Sequence, residues 1–63
     1  MKKNIMNIIR EHIAIDERRY GDICEEIRIT TDIKEKTRLE KIMEEIEDTL
    51  MANMTYLDLV ARL

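Results

Sequence analysis

The apolar residues of this chain recur at alternating three- and four-residue steps. Met6, Ile9, Ile13, Tyr20, Ile23 and Ile27 form one series, with a single polar interruption at Asp16. Leu39, Met43, Ile46, Leu50, Leu57 and Val60 form a second, interrupted once at Asn53. Such steps line one face of a helix, whereas a half-buried strand would alternate. The chain holds eleven Ile, a good strand former, so spacing rather than propensity decides. There is no Pro and only one Gly, Gly21. A sandwich or barrel needs many turn residues, and they are absent. The fold class is all-α.

Local signals divide the two stripes further. Asp32 with Glu35 gives a D-x-x-E start before "KTRLEKIMEEI", and Thr30–Thr31 just ahead of it favours a turn. Asp16 lies where a new helix would be capped, with Ile15 and Tyr20 placed as a hydrophobic staple. Thr55 and Asp58 form a weaker capping pair, flanked by Met54 and Leu59. The spacing therefore predicts helices at 3–14, 17–28, 33–52 and 56–62, with the tight turn at 29–32.

A tight turn at that point folds the arms back as an αα-hairpin. Each arm would be on the order of 40–45 Å long at 1.5 Å per residue. The expected architecture is a single all-helical domain over residues 1–63, either a small helical hairpin or a bundle of three to four helices. Sixty-three residues barely support one core, and chains this short usually add disulfides, a metal or a partner. Cys24 is alone, and one Cys with one His (His12) does not make a zinc site. Neither metal nor cofactor is expected, and a homodimer is the favoured supplement. Ile5, Ile8, Ile15 and Leu59 fall outside the stripes near the open end and are the expected dimer contacts. Burying six side chains of this kind contributes about 9–18 kcal/mol before entropy.

Charge limits the function classes. Charged residues are 40% of the chain and the net charge is -3, which argues against a wholly basic nucleic-acid-binding domain. The distribution is uneven. Residues 1–41 hold ten Lys or Arg against nine Asp or Glu, while residues 42–63 hold one against five. "MKKNIMNIIREHI" is too short and polar in its apolar run for a signal peptide, and no segment is long and apolar enough to span a membrane. With a lone thiol, a cytoplasmic home is expected. Lys2, Lys3 and Arg10 beside Ile5, Ile9 and Ile13 sketch a membrane-surface helix, but Glu11 interrupts it and a dimer contact is the better use.

Catalytic chemistry is not legible. His12 reads as a polar residue at a helix edge, Cys24 as a small buried hydrophobe, and "EEIED" (44–48) as a solvated face. The expected function is therefore non-enzymatic: a small regulatory or adaptor protein that binds another protein through its helices. Met43, Met51 and Met54 supply adaptable apolar contacts beside Glu44, Glu47 and Asp48. The alternative is a dimeric helix-turn-helix regulator whose residues 33–42 read DNA through Lys34, Arg38 and Lys41, which share one helix face. Against it stand Glu35 and Glu40 within that helix and the acids that follow.

Overall fold

Three residues, Thr30 to Asp32, reverse the chain between two long helices. In this computed structural model, which describes residues 1–63, α1 runs Lys2–Ile29 and α2 runs Ile33–Ala61. There are no strands. The helices pack antiparallel as one hairpin with Cα extents of 47 × 14 × 11 Å.

The turn is built as its residues suggest. Thr30 closes α1 in an extended conformation, its N–H donating to the Glu26 carbonyl at 3.0 Å. No residue needs positive φ, so no glycine is required. The Asp32 carboxylate accepts from the Lys34 N–H at 3.1 Å and satisfies one of the free donors that start α2. Glu35 does not reach back to complete the capping box. It takes two hydrogen bonds from the Arg38 guanidinium one turn on instead. Arg28 in the last turn of α1 and Glu35 in the first turn of α2 both suit the helix dipoles.

The expected breaks do not occur: helix runs unbroken through Asp16 and through Asn53. The four shorter helices predicted from the capping signals are two. Asp16 and Asn53 fall in phase with their stripes, so each turns inward exactly where an apolar side chain would sit, and no turn is needed to relocate it. Tertiary pairing overrides the local capping preference here. Thr49 bonds only locally, its hydroxyl donating to the Glu45 carbonyl at 3.0 Å without ending the helix.

One seam holds the hairpin together. Ile9, Leu39, Ile46 and Val60 are buried in it, and Met6, Ile13, Ile23, Ile27, Met43, Leu50 and Leu57 are half-buried along it. No side chain is fully enclosed, because two helices can cover each other on one side only.

Two substitutions should move stability in opposite directions. Asp32→Ala removes the cap and is expected to cost about 1 kcal/mol. A methyl at mid-helix Gly21 would meet no atom within 4 Å, so Gly21→Ala should add about 0.5–1 kcal/mol. Urea unfolding followed by circular dichroism, at one protein concentration, measures both.

Candidate interaction faces of the hairpin

Polar groups cross the seam at two levels. Asp16 is only 8% exposed, and its Oδ2 accepts from the Asn53 Nδ2 at 3.3 Å. The Arg19 guanidinium lies 3.8 Å from the other carboxylate oxygen. One turn further toward the bend, the Tyr20 hydroxyl donates to Glu47 Oε1 at 2.9 Å. That hydrogen bond, and then the negative charge of Glu47, pushes the Tyr20 phenol up to about 12. Cys24 Sγ sits 3.9 Å from Met43 Sδ next in line. An Asp–Asn pair among apolar layers does for this hairpin what a buried Asn does in a coiled coil. It rewards one register over those that would strand it against hydrocarbon.

The seam divides the surface into two sides. On one side, Asp16 and Arg19 of α1 border a shallow groove with Ile42, Glu45, Ile46 and Thr49 of α2. A second groove on that side, near the bend, is lined by Glu26, Ile29, Thr30, Glu35 and Leu39. Seven-residue steps keep a position on one side of a paired helix. Steps back from Glu26 and Arg19 reach His12 and Ile5, and steps back from Ile29 reach Ile15 and Ile8. On α2 the row of Glu35, Ile42 and Thr49 continues to Tyr56 and Leu63, and Glu45 leads to Ala52 and Leu59. This side is thus apolar at the open end and charged toward the bend.

The opposite side is the one on which Tyr20 meets Glu47. Steps from Glu47 and Glu44 lead to Met54 and Met51, both exposed. The α1 rows beside them carry Lys3, Arg10 and Glu17, and Asn7, Ala14 and Gly21. This side is mixed, with two methionines set among charges.

The residues singled out from the sequence therefore separate. Ile5, Ile8, Ile15 and Leu59 do share one side, and Tyr56 joins them there. Glu44, Glu47, Met51 and Met54 share the other, whereas Met43 is half-buried in the seam and Asp48 lies on the outer back of α2. Lys34, Arg38 and Lys41 are all exposed, Lys34 and Lys41 on the outside of α2 and Arg38 one seven-residue step before Glu45 on the grooved side. Arg38 is already held by Glu35, and that hydrogen bonding keeps the Glu35 carboxyl below its ordinary range and the guanidinium above its own. The Thr37 hydroxyl donates to the Ile33 carbonyl at 2.9 Å. A helix-turn-helix crosses its helices at about 90–120°, and this antiparallel pair does not have that crossing.

Tyr56 and the Asp16–Asn53 pair are what sequence reasoning missed. Each had a signal. Tyr56 lies two seven-residue steps beyond Ile42, and the two stripe interruptions are polar residues able to bond each other.

The fold defines a two-helix hairpin with one polar-locked seam and two unlike flanks. No family model matches the chain, and neither a curated protein nor a solved structure is significantly similar to it. No helix is long and apolar enough to cross a membrane. No three His, Cys, Asp or Glu side chains converge to hold a metal ion.

A double-mutant cycle tests the seam lock. Asn53→Leu alone leaves the buried Asp16 without its hydrogen bond and should cost about 1–3 kcal/mol. Asp16→Leu with Asn53→Leu should be neutral or more stable, because a well-packed apolar pair often exceeds a buried polar one. Equal losses in single and double variants would dismiss the pair as a lock.

The second test is spectroscopic. In a Tyr56→Phe background, ultraviolet titration should show the Tyr20 phenol ionising near 12, and Glu47→Gln should bring it back toward the ordinary value of about 10. The folded-state value is raised, so this hydrogen bond stabilises fully below the unfolded value of about 10. Its contribution then fades as pH rises through 12.

Proposed function

We propose that this chain is a small regulatory or adaptor protein without catalytic activity, acting through helix-mediated protein binding and completing its core as a homodimer. The observation that carries the reading is an imbalance in burial. No side chain is fully enclosed, yet eleven large apolar side chains are exposed. A folded monomer of this mass exposes about 4300 Å², whereas this hairpin exposes 5176 Å². Self-association answers part of that excess. The methionine flank answers a different need, because Met51 and Met54 offer flexible apolar contacts to a second protein while Glu44 and Glu47 favour basic groups around them.

The test is a comparison of variants immobilised and exposed to extract of the source cell. Met51→Glu with Met54→Glu should lose a protein that the wild type retains, while Lys34→Ala with Arg38→Ala should keep it. Retention by the methionine variant removes this flank from consideration. Duplex DNA binding that weakens steeply between about 50 and 200 mM salt, and is lost in Arg38→Ala, would transfer the function to residues 33–42.

A further inference from the structure

Of the two flanks, only one has an apolar area continuous across both helices. At the open end it is formed by Ile5, Ile8 and Ile15 of α1 with Tyr56, Leu59 and Leu63 of α2, and every one of these is exposed. All of them except Ile5 keep more than half of their surface in water. The only titratable group in the rows between them, apart from the Tyr56 phenol, is His12. Beyond Ile15 and Thr49 the same side turns charged, with Arg19, Asp22, Glu26, Glu35, Arg38 and Glu45 separating the exposed Ile29 and half-buried Ile42 from the open-end patch.

Area and charge together select the occupant. The hairpin's exposed surface of 5176 Å² exceeds the monomer expectation by about 900 Å². A standard interface buries about 800 Å² on each partner. A second copy is always present at equal concentration, and it brings the same neutral apolar surface to meet this one.

Charge also selects the arrangement. If two copies lay side by side with their bends at one end, the α1 acids Asp22 and Glu26 of each copy would face the α2 acids, Glu35 and Glu45, of the other. Two of the nearby arginines are already engaged, Arg19 with Asp16 and Arg38 with Glu35. Like charges set against each other across an interface cost several kcal/mol. If the copies overlapped over their whole length with bends opposed, Ile5, Ile8 and Leu59 would instead meet the acids of the bend half. Overlap of the open-end halves alone avoids both.

We infer that two copies of this chain dock through Ile5, Ile8, Ile15, Tyr56 and Leu59, overlapping at their open ends with the two bends pointing in opposite directions. The two-fold axis crosses the long axis between Ile8 and His12. Each α1 then lies antiparallel to its partner copy, with Ile5 approaching Ile15 of the partner subunit and Leu59 approaching Tyr56 of the partner subunit. The charged bend halves project freely at either end, and both methionine flanks stay open.

This arrangement rests on the homodimer reading above, and two measurements separate their failures. Sedimentation velocity at about 100 μM should give twice the chain mass of 7.6 kDa. A monomer there would overturn both the dimer and its arrangement. Small-angle scattering of the dimer should give a maximum dimension on the order of 70 Å, from two 47 Å rods overlapping by about half. A dimer no longer than about 50 Å would overturn the arrangement and leave the dimer standing. Ile8→Glu with Leu59→Glu should lower the dimer's affinity at least tenfold, while Met51→Glu with Met54→Glu should leave it unchanged. The reverse pattern would move the dimer surface to the methionine flank.

Discussion

Everything in this protein depends on a single seam between two helices. A helix presents apolar residues to a partner along one stripe, and a pair of helices has only one such stripe each to offer. The consequence is visible in the burial: Leu39 and Ile46 come closest to enclosure, and neither is sealed off from water. The rest of the apolar surface has nowhere to go within one chain. The proposed self-association thus follows from the hairpin's geometry as much as from any added function.

The seam also explains why polar residues persist inside it. Two identical-looking apolar stripes slide past one another at little cost, because one layer of Ile resembles the next. Asp16 against Asn53 breaks that degeneracy, and Tyr20 against Glu47 fixes the adjacent turn from the side. Both cross-links lie in the middle of the rod, between the apolar open end and the charged bend. Register settled there positions the rows that leave the seam, so it also decides which residues meet on each flank.

The two flanks differ in chemistry for a simple reason of periodicity. Residues flanking the seam repeat every seven positions, and the sequence fills those repeats unequally. One set collects Ile, Leu and Tyr at the open end. The other collects Met among Glu, Lys and Arg. Surface ion pairs such as Arg28 with Glu25 in α1, and Arg62 at the C-cap of α2 with Asp58, join neighbours on one helix and stabilise it by only a few tenths of a kcal/mol. They keep the outer surfaces solvated, so the exposed apolar side chains of the flanks remain the surface open to the proposed association.

Much of the fold was legible in advance. The three-and-four spacing, the absence of Pro and the Asp32 start determine two helical arms and the place where they turn, because these are local properties of backbone and side-chain period. The grouping of Ile5, Ile8, Ile15 and Leu59 was legible as an apolar surplus. The uninterrupted course through Asp16 and Asn53 was not. Capping is a local preference, and it is reversed only when a partner across the seam accepts the polar side chain. The separation of the methionines from the isoleucines was equally hidden, since it depends on which edge of each helix lies beside the other. By itself the sequence determined helicity, the turn and the apolar excess. Only tertiary packing decided register and sidedness, because both are relations between two helices that neither helix's sequence contains alone.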